Sequence, residues 1–404
     1  MVFLKSLAAA FVLGTSTLSP QTPPPEFVQI QANGFATWVA NFRSRALRAG
    51  INNRTFDAAF AGAQYLPDTV RRDRNQSEFV KPLAEYMATA ASDNRVRNGR
   101  EMLRKHARLL AQIEATYSVE PHIVVAFWGM ESNYGARRGD TPLISTLATL
   151  AFDGRRGRFF EKQLISALKI LQRGDISPAQ MTGSWAGAMG HTQFIPTSFD
   201  AYAVDFTGDD GKRDIWSDDP SDALASTAAY LNRFRWRKGQ PWGVEVRLPR
   251  GFDFARTERA VKMSPADWAG LGVRGVDGQA VPNYGTVSLI TPTGGNGPAF
   301  LVFRNFDVIS RYNNAQAYMI GVGRLGDRLR GIGPLQTGFP ANERDLFRAE
   351  RRELQQRLTA AGFNTGGIDG KVGPATRRAI RAYQQAARLP ADGYASLSLL
   401  ERLR

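Results

Sequence analysis

The spacing of apolar residues predicts helices throughout the first half of the chain. From Phe27 to about Ala115, apolar positions recur every three to four residues, which is the spacing of one helix face. The same period continues through PHIVVAFWGM, ISTLATLAF and FFEKQLISALKILQRG, and returns in ALASTAAYLNRF. We therefore expect a core built mainly from packed helices.

After Trp242 the pattern changes to short segments rich in β-forming residues. VEVRL, TVSLITPT and PAFLVF alternate or run between prolines and glycines, which favours short strands. Helical spacing resumes at Val308. The pattern predicts a mainly α (α+β) fold, with a small antiparallel β subdomain inserted at about residues 243–304.

The end of the chain has the pattern of a separate small unit. Residues 335–344, LQTGFPANER, have the composition of a linker. In residues 345–404, Asp-Gly pairs at Asp369 and Asp392 mark turns, and Pro374 stands where a helix would begin. We expect a C-terminal domain of three short helices.

The first residues have the pattern of an export signal. Residues 1–19 contain one lysine, an apolar run from Leu7 to Leu13 and then small residues, and the run is too short to span a bilayer. A buried N-terminal helix is the alternative interpretation. The chain has no cysteine, which excludes disulfides, thiol catalysis and lipid attachment at an N-terminal cysteine. An exported form would therefore be soluble.

The net charge of +15 changes the range of partners that the chain is expected to bind. Such an excess favours an anionic partner: nucleic acid, an acidic membrane face, or a cell-wall glycan that carries peptide carboxylates. The basic residues are scattered, and no nucleic-acid motif is recognisable. We therefore expect no nucleic acid as the natural partner.

The strongest candidate for catalysis is Glu131, within the segment PHIVVAFWGMESNYG. Pro121 suits the first turn of a helix, so Glu131 should lie near the C-terminal end of a buried helix. Apolar and aromatic neighbours such as Trp128 raise the pKa of a carboxyl group, as a general acid requires. The alternative is that Glu131 only caps the helix or forms a salt bridge.

A second candidate segment is GSWAGAMGHTQFIPTSF at 183–199. Its glycines predict a tight connection in which the backbone passes close to another part of the chain. It presents Ser184 and Gln193 beside large apolar side chains, a mixture that suits glycan binding. The alternative is a glycine-dense packing loop.

A third segment, DFTGDDGKRDIWSDDPSD at 205–222, has oxygen ligands at alternate positions, as calcium loops have. The oxygen-bearing residues are Asp205, Thr207 and Asp209. A lysine and an arginine interrupt the pattern, and no glutamate stands at its twelfth position. An acidic, solvated turn is therefore the alternative interpretation.

Three motifs in order resemble the lytic murein transglycosylase B family, glycoside hydrolase family 103. These are ESNYG at 131–135, GSWAGAM with QFIPTSF within 183–199, and RYN with a later tyrosine at 311–318. The likeness covers roughly residues 27–330. The tail, with LQQRL, GGIDGKVGPATRRAIRAYQ and LPADG, resembles a peptidoglycan-binding domain. The resemblance implies a lysozyme-like helical catalytic core in residues 20–334 and a peptidoglycan-binding domain in residues 345–404.

The resemblance also implies roles for individual residues. Glu131 would be the catalytic acid and base, and Ser184 would hydrogen-bond its carboxyl group. Gln193 and Asn313 would hold the acetamido sugars. Four tyrosines would line the cleft or reach the glycan: Tyr86, Tyr134, Tyr312 and Tyr318. No cofactor is expected beyond a structural calcium ion, for which the resemblance implies four ligands: Asp205, Thr207, Asp209 and Asp222.

A single carboxylate in these motifs favours one reaction over its alternatives. Most glycosidases place a second Asp or Glu across the bond, and neither motif contains one. We therefore expect a periplasmic lytic transglycosylase that acts on glycan strands and stem peptides, with other cell-wall enzymes as further partners. A hydrolytic muramidase and a non-catalytic wall-binding protein are the alternatives.

Overall fold

The computed structural model of the chain describes residues 25–75, 82–208, 210–257, 259–341 and 344–404, without the side chains of 25–32 and 75. The predicted signal peptide at 1–19 lies outside these residues, as do Asp209 and part of the predicted linker.

The described residues form helices over most of their length. The helices, in chain order, are α1 Pro25–Arg48, α2 Asn53–Phe60, α3 Pro67–Asn75, α4 Leu83–Ala90, α5 Asp93–Lys105, α6 Ala107–Tyr117, α7 Pro121–Ser132, α8 Leu143–Asp153, α9 Gly157–Arg173, α10 Pro196–Tyr202, α11 Ser221–Arg233, α12 Pro265–Gly270, α13 Arg304–Tyr312, α14 Gln316–Leu329, α15 Arg348–Ala360, α16 Pro374–Ala386 and α17 Leu397–Leu403. The strands are β1 Thr141–Pro142, β2 Thr182–Gly183, β3 Gly243–Arg247, β4 Arg274–Gly275, β5 Ser288–Ile290, β6 Pro292–Gly295 and β7 Ala299–Val302.

The chain divides into two compact units. The first comprises Met1–Gln76 and Arg97–Phe234, and the second comprises Ser77–Val96 and Arg235–Arg404. The described part of the first unit is helical apart from the short pair β1–β2. The predicted domain boundaries, which divide the chain differently, stay predictions.

Helix α7 lies in the core of the first unit. Pro121 occupies its first turn, where a missing N–H costs nothing, and Ile123 to Gly129 are all buried. A helix that is apolar on every side must be surrounded by other elements, and α7 packs against α6 and α11. The core therefore fixes the position of its C-terminal residues.

The second unit contains the predicted antiparallel sheet. Its strand order is β4-β3-β7-β5, with Glu245 opposite Phe300 and Leu289 opposite Leu301. Trp268, on α12, is fully buried against one face of the sheet. The expected β insertion is confirmed, although α12 and a short 3-10 helix between its strands were not predicted.

Helices α13 and α14 complete this part of the second unit, and α4 packs against α14. Trp242 Nε1 donates a 2.9 Å hydrogen bond to Asp327 on α14, and Arg324 forms a 3.2 Å ion pair with the same carboxylate. Within the predicted linker, the amides of Gln336 and Thr337 donate to Glu245 on β3. This end of the linker therefore lies along the sheet.

The C-terminal residues form the three predicted helices, α15 to α17, around a separate apolar core that includes Leu354, Ile380 and Leu400. Two buried glutamines hold its two Asp-Gly pairs in the same way. Gln355 Nε2 donates to Asp369 and its Oε1 accepts from the next amide, that of Gly370. We call this arrangement of a glutamine and an Asp-Gly pair a clip. In the second clip, Gln384 Nε2 donates to Asp392 and its Oε1 accepts from the amide of Gly393. The chain bends at Asp369-Gly370, as predicted, and Gly370 and Gly393 both have left-handed φ angles, 73° and 68°.

Candidate active site

Glu131 lies near the C-terminal end of α7, as predicted. It is buried, with 9% of its surface exposed. The helix ends one residue later because the next three residues all adopt left-handed conformations. Their φ angles are 51° at Asn133, 61° at Tyr134 and 84° at Gly135. Two consecutive non-glycine residues in this region are costly, and such strain concentrates at functional sites.

The turn after Glu131 folds back onto α7. The ring of Tyr134 lies against Gly129, so closely that a side chain at that position would meet it at 2.7 Å. The same ring is edge-on to Trp128, with centroids 5.9 Å apart. Ring faces and polar tips of this kind suit contact with sugars.

The segment at 183–194 passes close to other backbone, which confirms the prediction made from its glycines. A side chain at Gly183 or Gly190 would collide with the carbonyl of Ala188 or Ile215, respectively. A side chain at Gly139, in the loop after α7, would collide with Gly183. This loop and the 183–194 segment are therefore tightly packed against each other.

The structure places Ser184 and Gln193 in that segment. Ser184 is buried, and its hydroxyl oxygen accepts a 3.1 Å hydrogen bond from the amide of Ala188. Gln193 has a φ of 53°, and its Nε2 donates to the carbonyls of Gly190 (2.8 Å) and Arg138 (2.9 Å). The Oε1 of Gln193 is buried and has no hydrogen-bond partner among the described residues.

His191 contacts both segments, although no sequence pattern predicts it as a site residue. Its ring is buried between Trp128 on α7 and Ser217 in the acidic segment. Burial, followed by the nearby charge of Arg138, lowers the pKa of His191 below its ordinary value. A single histidine in a glycine-rich loop matches no local sequence motif. The adjacent Gly190, which indicates close backbone packing, was the only sequence signal that the side chain is buried.

Other acidic residues that are buried in the described part of the first unit have structural partners. Asp73 binds Arg155 and Arg156, and Asp175 binds Arg213 at 2.7 Å. The pKa values of both carboxyl groups are lowered by hydrogen bonds from these arginines, which outweigh the effect of burial, so both groups stay charged. Glu131, buried at the end of α7, is the carboxyl group that the sequence predicts for acid and base chemistry.

The acidic segment at 205–222 does not assemble a cation site in the residues that the structure describes. Both oxygens of Asp222 accept backbone amides, one from Phe206 and one from Asp214, each at 2.8 Å. Asp205 accepts from the amide of Gly208. Within the described ranges, no cluster of three or more acidic or histidine side chains could hold a metal ion. Asp209 is outside these ranges, so the four-ligand calcium site stays a prediction.

The remaining predicted site residues lie in the second unit. Tyr86 is half-buried on α4, and Tyr318 is buried on α14. Tyr312 is the last residue of α13, and the next residue, Asn313, is buried and caps the turn into α14 by accepting from the amide of Ala315. Their substrate contacts stay predictions.

A lysozyme-like helical fold with one buried carboxyl group at a helix end is typical of enzymes that cleave glycans. The family described as "Transglycosylase SLT domain" matches residues 34–327, and that described as "Putative peptidoglycan binding domain" matches residues 348–403. The fold and the site thus define a peptidoglycan lytic transglycosylase. The chain belongs to the transglycosylase SLT domain family.

Three relatives illustrate the similarity. Membrane-bound lytic murein transglycosylase B of Escherichia coli is 31% identical over 293 residues, which are 69% of this chain and 78% of that protein. SltB3 from Pseudomonas aeruginosa, in complex with NAG-anhNAM-pentapeptide, is 50% identical with a TM-score of 0.87, over 92% of this chain and 99% of that one. Escherichia coli Slt35, in complex with calcium, is 28% identical with a TM-score of 0.63, over 74% and 93%. Among the residues described here, no helix has the length and apolarity needed to cross a membrane.

Proposed function

We propose that the chain cleaves the β-1,4 bond between N-acetylmuramic acid and N-acetylglucosamine in peptidoglycan and forms 1,6-anhydro ends. Glu131 acts first as the acid and then as the base. The observation that carries this proposal is the burial of Glu131 at the C-terminal end of α7.

The first half of the reaction needs a protonated carboxyl group. Glu131 is buried at the end of a helix of buried apolar residues, and burial disfavours the charged form of a carboxyl group. Glu131 then donates its proton to the glycosidic oxygen, the bond to C1 breaks, and the acetamido oxygen of the muramic acid stabilises the positive charge at C1.

The second half uses the carboxylate that the first half leaves. Glu131 takes the proton of the C6 hydroxyl of the same sugar, and this oxygen bonds to C1 to close the anhydro ring. Protons balance, and no water is consumed. A muramidase would instead deliver water to C1, so its product would be heavier by one water.

Further predicted site residues contact the substrate in this proposal. The hydroxyl of Ser184 accepts the amide of Ala188 and keeps its own hydrogen, which it donates to Glu131. Gln193 and Asn313 hold acetamido groups. The aromatic walls are Tyr86, Tyr134, Tyr312 and Tyr318.

Glu131→Gln tests the assignment. We expect the release of anhydro-muropeptides from purified sacculi to fall at least a thousandfold, because the amide neither donates the proton nor retrieves one. Mass spectrometry of the soluble products measures both the loss and the type of product. The matched control is Asp140→Asn, an exposed carboxylate in the following loop, which should keep wild-type activity. If Glu131→Gln retains most activity, the assignment is wrong.

The same products decide between the alternatives. Reducing ends in place of anhydro ends would show a muramidase, and an absence of soluble muropeptides would show a wall-binding protein. We further propose that the mature enzyme acts in the periplasm beside other cell-wall enzymes, after loss of residues 1–19. The support is that the relatives are lytic enzymes of murein.

A further inference from the structure

The ring of His191 is held in one protonation state by its neighbours. The indole Nε1 of Trp128 donates to His191 Nδ1 at 3.1 Å. An indole nitrogen only donates, so Nδ1 must carry no hydrogen. The hydrogen of the neutral ring is then on Nε2, which lies 2.7 Å from the carbonyl oxygen of Ser217 and donates to it.

Arg138 is consistent with this assignment. Its Nη1 lies 3.2 Å from His191 Nε2, but a guanidinium never accepts a hydrogen bond. The same Nη1 donates at 2.6 Å to the carbonyl of Ser217, and Nη2 pairs with Asp218. His191 and Arg138 therefore donate to one shared oxygen, and they do not bond to each other.

The backbone of His191 contacts the other side of the same helix end. Ser132, which directly follows Glu131, donates its hydroxyl to the carbonyl of His191 at 2.6 Å. The amide of His191 donates to the carbonyl of Ile215 at 3.0 Å. Trp128 and Ser132 are one helical turn apart on α7, with Glu131 between them in the sequence, and each donates a hydrogen bond to His191.

The turn after α7 is shaped to fit the histidine ring. A Cβ atom at Gly135 would lie 2.5 Å from His191 Nδ1. The hydroxyl of Ser132 accepts from the amide of Gly135 at 2.9 Å. Ring, helix end and turn therefore form one interlocked group.

We propose that His191 is a positioning residue for the lytic reaction, which fixes the end of α7, and with it Glu131, only while its ring is neutral with the hydrogen on Nε2. The inference rests on the proposed role of Glu131. Protonation of Nδ1 would set two donors against each other, since Trp128 cannot accept. The helix end would then lose the hydrogen bond from Trp128 and keep only the one from Ser132 to the backbone of His191.

Three charged groups influence the ring of His191. Arg138, from the loop after α7, opposes a positive charge on His191, whereas Asp214 and Asp218, from the acidic segment, favour it. His106, before α6, is edge-on to the indole of Trp128. Burial is the largest effect and favours the neutral ring.

Nitrogen-15 NMR of histidine-labelled full-length protein tests the protonation state without any need for catalysis. The chain has only three histidines, and His191→Asn identifies the signals of the third. We expect Nε2 to carry the hydrogen at pH 7, and the ring to stay neutral when the pH falls through about 6.5, the ordinary value for histidine. A hydrogen on Nδ1, or a charged ring at pH 7, would overturn the proposal.

Kinetics on sacculi test the positioning role. His191→Leu removes both ring hydrogen bonds, and we expect kcat to fall by about tenfold to a hundredfold with KM within twofold, because the acid is misplaced. His191→Asn keeps an acceptor near the position of Nδ1 and should recover part of the loss. A purely structural role would lower the melting temperature without separating kcat from KM, and unchanged kcat in the leucine variant would refute the positioning role.

A second variant serves if His191→Leu does not fold. Trp128→Phe keeps an aromatic ring but removes the N–H that favours neutral His191, so the acid limb of the kcat profile should move to higher pH. An unmoved limb would contradict the proposal. Activity in Glu131→Gln would instead refute the proposed function. The NMR result would still report the protonation state of His191, because that measurement does not depend on catalysis.

Discussion

At the scale of single residues, the turn after α7 shows how backbone conformation and side-chain packing constrain one position. Gly135 combines a φ of 84° with a near contact to the ring of His191. Either feature alone disfavours a side chain, and the two costs come from different causes. Gly174, after α9, has nearly the same φ of 83° but open space around it.

These two glycines allow the steric cost to be separated from the backbone cost. Gly174→Ala should lower the free energy of unfolding by about 1 kcal/mol, the cost of a left-handed alanine. Gly135→Ala should lower it by roughly 3 kcal/mol, since the new methyl group also displaces the histidine ring. Urea unfolding measures both, and equal losses would show that the contact with His191 costs nothing.

At the scale of elements, one carboxylate ties α3 to the turn between α8 and α9. Asp73 is buried on α3 and accepts from Arg155 at 2.6 Å and from Arg156 at 2.5 Å. Burial alone would raise the pKa of Asp73, but the hydrogen bonds from Arg155 and Arg156 outweigh it, and the pKa is lowered. A lowered pKa means that the charged form stabilises the fold.

Asp73→Asn tests this connection and its pH dependence. We expect a loss of about 2 kcal/mol in the free energy of unfolding at pH 7, the size of charged hydrogen bonds. The lowered pKa gives stability above the pKa of the unfolded state, near 4, and this stability is lost as the pH falls further. The two proteins should therefore converge in acid.

The control for this prediction lies on the same helix. Asp68 forms a 2.9 Å ion pair with Arg71, but its side chain is 68% exposed. Asp68→Asn should change stability by less than about 0.5 kcal/mol at any pH, since water screens exposed pairs. Equal effects at positions 68 and 73 would show that burial does not matter here.

The sequence predicts individual helices and strands well, but it does not predict which side chains connect one element to another. Pro121 and the apolar run after it located α7, and the change of period after Trp242 located the sheet, because both signals are local. His191 and Asp73 act through residues 63 and more than 80 positions away, so no local pattern contains them. At Asp222 the local pattern was present but indicated a different role. The pattern suggested a metal ligand, whereas both carboxylate oxygens accept hydrogen bonds from backbone amides.

At the scale of the whole molecule, the charge of +15 suits both wall binding and nucleic-acid binding, and the salt dependence of binding distinguishes the two. Peptidoglycan offers separate carboxylates, whereas DNA offers a dense row of phosphates whose release of counterions makes binding steeply dependent on salt. We expect pull-down on sacculi to persist at 150 mM salt and pull-down on DNA to be lost. Retention on DNA with loss from sacculi would favour the nucleic-acid alternative. Glu131→Gln is the suitable protein, because it should bind the wall without digesting it.

The two clips of the C-terminal helices determine how residues 345–404 unfold. In each, a helix carries the glutamine, the Asp-Gly pair follows, and the next helix begins five residues after the aspartate. The fold is thus one motif used twice in succession, and α16 closes the first copy and opens the second. Disruption of α15 or α17 loosens one copy, whereas disruption of α16 releases both. The middle helix therefore joins two small repeats into a single melting unit.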